Sequence, residues 1–133
     1  MDLSDANLTD ANLTDANLTD ANLGRVTAVN AKFAGVQARR ASFAGSDLTK
    51  TVFVGSQLVA SNLNRANLSG ADLTAANLTD CFLWASILVD VKLNGAKLSG
   101  VKAWGYSWND PCFADADLTG ATFDGVEYQP GGH

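Results

Sequence analysis

The chain has 133 residues, a hydrophobic fraction of 47% and a formal net charge of −5, values that fit one folded domain. Charged residues make up only 17% of the chain, which excludes a disordered or highly charged tail. No stretch approaches the roughly 18 apolar residues of a membrane span, and the N-terminus lacks the basic and apolar regions of a signal peptide. We therefore expect a cytoplasmic protein that does not enter a membrane.

A five-residue period runs along the chain without an insertion. Counting in steps of five from Leu3 to Tyr128 gives 26 central positions, which hold sixteen leucines, five phenylalanines, three alanines, Trp108 and Tyr128. The position two residues before each centre is Ala, Ser, Thr, Val or Cys in 23 of the 26 cases. A fixed period of this kind predicts a repeat architecture.

A period of five matches neither the 3.6 residues of a helical turn nor the alternation of a strand. A chain that turns a corner every five residues would point each centre, and the small residue before it, toward one interior. Four such sides make a coil of 20 residues, so centres 20 apart stack in columns at the β spacing of about 4.8 Å. One predicted column is Leu13, Phe33, Phe53, Leu73, Leu93 and Phe113.

The first coil consists of four near-identical repeats, and segments such as Ala6-Asn7-Leu8-Thr9-Asp10 recur at 66–70 and 71–75. They resemble the A(D/N)LXX motif of the pentapeptide-repeat family. The resemblance covers nearly the whole chain and implies an all-β fold, a right-handed quadrilateral β-helix of about six and a half coils over residues 1–128. Residues 129–133 are predicted to be a C-terminal tail.

The pattern weakens between residues 101 and 112. Tyr106 and Pro111 occupy positions that require a small side chain, and proline cannot donate a hydrogen bond to a neighbouring coil. We expect a bulge or another local departure there, with regular coils resuming at Phe113.

The N-terminal coil has no preceding cap in this sequence. An open β edge pairs readily with another chain, so end-to-end self-association through this coil is one expectation. A second is that the chain is a spike, stalk or effector segment of a larger secreted or phage-like assembly.

Residues suited to catalysis do not converge. The chain has no phosphate-binding loop, nucleophile motif or histidine cluster, and its single histidine is His133. Asp5, Asp10, Asp15 and Asp20 repeat on four successive sides and therefore point in four directions. Cys81 is expected to be a small buried residue. We predict no enzyme activity, no cofactor and no metal site.

Charge alternates in blocks along the chain. Residues 1–24 hold five acids and no base, whereas residues 25–65 hold six bases and one acid. The resemblance implies one alternative function, inhibition or protection of DNA gyrase or topoisomerase by DNA mimicry, but a mimic needs a continuous acidic face, which the basic block interrupts. Direct binding to nucleic acid is not expected, because the overall balance is acidic.

Apolar side chains replace polar ones at several outward positions near residue 84. Trp84 and Trp104 are 20 apart and are expected to stack on adjacent coils. We predict a non-catalytic protein-interaction or structural module that contacts an unknown protein partner through Phe82, Trp84, Ile87, Lys102 and Trp104. The alternatives are that residues 105–112 cover these rings, that the patch packs within a larger parent protein, or that it binds a carbohydrate or small ligand.

Overall fold

The computed structural model describes residues 1–104 and 127–129, with Ala103, Trp104 and 127–129 described by their backbone alone. Two short strands occur, β1 over Lys102–Trp104 and β2 over Glu127–Gln129. Most of the described chain is instead a series of single-residue β bridges separated by turns.

The bridges define a solenoid with 20 residues in each coil. Parallel bridges join residues 20 apart without a break from Asp2↔Asn22 to Phe82↔Lys102. Hydrogen bonds run in both directions between adjacent coils: the Leu8 N–H donates to the Thr27 carbonyl at 2.6 Å, and the Thr27 N–H donates to the Ala6 carbonyl at 3.0 Å. The predicted 20-residue coil is therefore confirmed over this range. We call residues 1–20 coil one, 81–100 coil five, and the five-residue units of each coil its sides.

A tight turn closes each side. In the first of these turns the Ala6 N–H donates to the Leu3 carbonyl at 3.1 Å, and Asp5 between them has a φ of 62°. Every fifth residue from Asp5 to Gly100 has a positive φ, whereas the residue before it does not, which is the pattern of a type II turn. Glycine, Asn and Asp tolerate this conformation, and inter-coil bonds impose it on the Arg, Lys and Ala residues at other corners.

The interior is built as the period predicts. Every central residue from Leu18 to Leu98 is buried, and so is every residue at the small position from Ala21 to Val101. Phe33 and Phe53 stack with a centroid separation of 4.7 Å, and Phe43 meets both rings edge-on at 5.8 and 5.7 Å. In coil one, by contrast, Leu3, Leu8 and Leu13 are only half-buried.

The spacing of 20 changes at the last pairing. Strand β1 pairs in parallel with β2 so that Ala103 lies opposite Tyr128, an offset of 25 residues. A constant coil of 20 would instead place Ala103 opposite Phe123, so one further five-residue unit separates these strands. The expected irregularity around 101–112 and the resumption at Phe113 fall largely on residues outside the described part, while β2 includes Gln129, the first residue of the predicted tail.

Candidate functional site

The outward face of most sides is polar and caps its own turn. The residue before the centre is often Asn or Asp, and its Oδ1 accepts the N–H of the residue after the centre, as between Asn67 and Ser69 at 3.0 Å. The Ser69 hydroxyl donates to the same oxygen at 2.7 Å. These side chains satisfy local backbone donors, which explains their abundance without invoking a ligand.

Coil five departs from this polar pattern on two adjacent sides. Because side chains alternate inward and outward along each side, Phe82 and Trp84 project from the first side and Ile87 and Val89 from the second. These residues are 39%, 38%, 42% and 45% exposed, in that order. We call these four residues the coil-five patch. The other two exposed large apolar residues of the described part, Met1 and Val54, lie elsewhere on the solenoid.

The corner between the two sides is also apolar. Ala85 occupies it with a φ of 58° and is buried, whereas most other described corner residues are exposed. The sides directly before the patch carry Asn62, Asn64, Asn67 and Ser69 at the matching positions. The Trp84 N–H donates to the Asn64 Oδ1 of the preceding coil at 2.8 Å, so the tryptophan backbone is fixed by a neighbouring coil.

Two cations flank the aromatic side of the patch. The Arg65 guanidinium carbon lies 4.7 Å from the centroid of the Trp84 ring, and the Lys102 Nζ lies 5.6 Å from that of Phe82. Both separations are within the range of cation–π attraction. Arg65 lies on the coil before coil five, and Lys102 lies on the coil after it. Neither cation forms an ion pair with an acidic side chain that the structure describes.

The structure brings together four of the five residues predicted to contact a partner. Phe82 and Lys102 are bridge partners, Trp84 shares their side, and Ile87 lies around the Ala85 corner. The Trp104 backbone lies in β1, but its side chain, and with it the predicted stacking on Trp84, is outside the described part. Val89 extends the patch beyond the predicted residues, and the contact of Arg65 with Trp84 was not predicted.

The acidic corners of coil one are separated from one another, as expected. Arg25 donates from Nε to Asp5 at 2.8 Å, and Arg40 donates from Nε to Asp20 at 2.6 Å. The hydrogen bond from Arg25 lowers the pKa of Asp5, and that from Arg40 lowers the pKa of Asp20. Half of the acidic corners in this coil are thus paired with bases of the next one.

The Cys81 thiol is buried directly beneath the patch side, as the sequence predicted. It donates to the Leu58 carbonyl at 2.8 Å and lies 3.1 Å from the Ser61 hydroxyl. Burial raises the pKa of the Cys81 thiol to about 12, so the thiol is neutral at pH 7. A neutral, enclosed thiol is a packing residue and not a nucleophile.

Comparison with known proteins defines the class, a β-helix solenoid, and then the family. The family model for pentapeptide repeats matches eight copies, at residues 1–25, 29–65 and 66–102. The chain belongs to the pentapeptide repeat family, as its motif suggested. No curated protein matches the sequence.

Several solved structures are similar to this chain. A pentapeptide repeat protein from Nostoc PCC 7120 is 29% identical over 61% of this chain and 69% of its own, with a TM-score of 0.58. A variant of QnrB1, a plasmid-mediated fluoroquinolone resistance protein, is 20% identical over 95% of this chain and 76% of its own, with a TM-score of 0.51. A protein of the Arabidopsis thaliana thylakoid lumen is 23% identical over 83% of this chain, with a TM-score of 0.49, and this chain spans 59% of its length. Within the described residues, no helix is long and apolar enough to cross a membrane.

Proposed function

We propose that this protein is a non-catalytic module that binds another protein through the coil-five patch. The observation that carries the proposal is the adjacency of Phe82, Trp84, Ile87 and Val89 on a solenoid whose other outward positions are mostly polar. Contiguous exposed apolar residues mark interaction surfaces, and tryptophan is a favoured anchor at such surfaces. We retain Lys102 and Trp104 as further contacts on the same side.

The rigidity of the support favours this function. Each side of coil five is bonded to the preceding coil, as the Phe82 N–H is to the Ser61 carbonyl at 3.1 Å and the Ile87 N–H is to the Ala66 carbonyl at 3.0 Å. A surface held in this way loses little backbone freedom when a partner binds. The first side is also bridged to the following coil through Phe82 and Lys102, so recognition on that side would use side chains and not strand addition.

Comparative capture from native cell extract tests the proposal. A protein retained by the wild type should also be retained by the Val54→Ala variant, which removes a comparably exposed apolar side chain from another side. It should be lost from the Trp84→Ala/Ile87→Ala variant, provided that circular dichroism shows both variants to be folded. Equal retention by all three proteins would refute the assignment of this surface.

The DNA-mimic alternative has less support. The basic block interrupts the acidic surface, and Arg25 and Arg40 pair with two of the four acidic corners of coil one. The resemblance to QnrB1 concerns the fold, at 20% identity. A supercoiling assay with gyrase is the test, and we expect no inhibition at high protein concentration.

End-to-end self-association is a second candidate role, and the half-buried Leu3, Leu8 and Leu13 of coil one favour it. Light scattering on a sizing column at several protein concentrations tests it. A mass that grows with concentration would support assembly through this coil, and a constant monomer mass would exclude it.

The parallel bridges alone do not give the handedness of the coils or their number over the whole chain. We infer that the coils wind in the right-handed sense and that the whole chain makes about six and a half of them. A crystal structure that includes residues 105–126 would test both points.

A further inference from the structure

We propose that the partner presents an acidic and apolar protein segment, in which carboxylates flank the apolar side chains that cover the coil-five patch. This inference rests on the proposed function and specifies the chemistry of the partner. The contacts that carry it are those of Arg65 with the Trp84 ring and of Lys102 with the Phe82 ring.

The two cations are positioned to receive carboxylates at opposite edges of the aromatic side. They belong to the coils on either side of coil five, so they are separated along the solenoid axis by two coil spacings, roughly 10 Å. A guanidinium that lies over a ring still directs its edge N–H groups outward, and an ammonium retains three donors. Among the side chains that the structure describes, neither cation has an acidic partner that would compete with a carboxylate brought by another molecule. The backbone of Glu127 lies opposite that of Lys102, so Arg65 is the cation on which this argument mainly depends.

Charge disfavours a second copy of this chain as the occupant. In an isologous dimer the same surface faces itself across a two-fold axis that lies in the interface. If that axis runs along the solenoid and coil five faces coil five, Arg65 faces the coil of Arg65, and Lys102 that of Lys102. If it runs across the solenoid, Arg65 faces the coil that carries Lys102. Both arrangements oppose cations to cations.

The shape of the patch favours a protein over a nucleic acid. Ile87 and Val89 continue the apolar surface around the Ala85 corner, where they offer contacts for aliphatic side chains but no charge for a phosphate. The chain as a whole has a net charge of −5, which repels an extended polyanion. A short acidic segment with apolar residues contacts the two cations locally and meets less of this repulsion than an extended polyanion does.

Three fluorescein-labelled peptides provide the test, each with a Leu-Phe-Leu core flanked on both sides by Glu, Ser or Lys. Fluorescence polarisation should show that the wild type binds the Glu-flanked peptide about tenfold more tightly than the Ser-flanked one, with the Lys-flanked one weakest. The Arg65→Glu/Lys102→Glu variant should reverse the order. The Lys32→Glu/Lys92→Glu variant changes the net charge equally on another side and should keep the wild-type order.

Each other result overturns the inference. A wild-type preference for the Ser- or Lys-flanked peptide, no binding of any peptide, or an equal effect of the control variant would refute an acidic partner. Tighter binding of a 20-nucleotide oligothymidylate than of the Glu-flanked peptide would replace it with a nucleic acid. None of these results decides whether Trp84 and Ile87 are required for capture of a native protein, so failure here is distinguishable from failure of the proposed function.

Discussion

The guanidinium of Arg65 lies over the ring of Trp84, 4.7 Å from its centroid, although the two residues stand on different coils. Arg65 is the corner residue that corresponds to Ala85 on the preceding coil, and the contact joins this corner to the largest side chain of the patch. It buries part of the tryptophan face under a group that remains charged and hydrated at its edge. In aqueous solution the Arg65 side chain thereby covers part of the patch, and the rest of the patch remains an exposed apolar surface.

This contact should be measurable as an interaction free energy. A double-mutant cycle of Arg65→Ala and Trp84→Ala, measured by urea unfolding, is expected to give a coupling of about 0.5–1 kcal/mol, as for exposed cation–π pairs. A cycle of Arg65→Ala with Val54→Ala should give none, because Val54 lies on another side. Equal coupling in the two cycles would show that Arg65 stabilises the fold without a specific contact to the tryptophan.

Removing a buried hydroxyl group should change the free energy of unfolding in opposite directions at two equivalent positions of the repeat, Ser46 and Ser56. The Ser46 hydroxyl donates to the Leu23 carbonyl at 2.8 Å, whereas the Ser56 hydroxyl is buried without a hydrogen-bond partner. We expect Ser56→Ala to raise the free energy of unfolding by about 1 kcal/mol and Ser46→Ala to lower it by a similar amount. Urea unfolding measures both, and destabilisation by Ser56→Ala would show that its hydroxyl has a partner.

Acid should weaken the contact between coils one and two. The pKa of Asp5 is lowered from its ordinary value of 3.8, mainly by the hydrogen bond from Arg25. A lowered pKa in the folded state means that this stabilisation is present above pH 3.8 and is lost as the pH falls through the folded pKa. Carboxyl NMR titration should find the pKa of Asp5 below 3.8 in the wild type and shifted upward in Arg25→Gln.

A control for this titration lies at another corner. Lys50→Gln removes a base that does not contact Asp5 and should leave the pKa of Asp5 where it is in the wild type. If Arg25→Gln also leaves it unchanged, the pairing does not form in solution.

Alkaline pH should act through the buried thiol. Burial raises the pKa of Cys81 from 9.0 to about 12, so its contribution to stability is complete below pH 9 and is lost as the pH rises toward 12. In a Cys112→Ser background, the free energy of unfolding should fall by roughly 1 kcal/mol more per pH unit in this window than in the same protein with Cys81→Ala. Parallel curves for the two proteins would show that Cys81 is accessible to ionisation in the folded state.

The sequence predicted the interior better than the surface. Burial of Leu23, Leu48 or Ala71 follows from the period alone, because each position of a five-residue unit has one fixed direction. The same register identified Phe82, Trp84 and Ile87 as outward. The pairing of Arg25 with Asp5 could also be inferred from the sequence, since the two residues are 20 apart and occupy equivalent corners of adjacent coils.

Other features have no sequence signal of this kind. Arg65 and Trp84 are 19 residues apart and occupy different positions of the repeat, so their contact depends on how a long side chain folds over its neighbour. The offset of 25 between Ala103 and Tyr128 leaves the count of five intact, because one whole additional unit does not disturb the period. Only the pairing of the strands distinguishes 20 from 25.

Photo-crosslinking in the native cell tests the central claim most directly. A p-benzoylphenylalanine at Ile87, within the coil-five patch, should form a discrete adduct with one other protein, which mass spectrometry can identify. The same residue at Val54, which is comparably exposed on another side, should not form that adduct. An identical adduct from both positions, or none from Ile87, would contradict a docking surface on coil five.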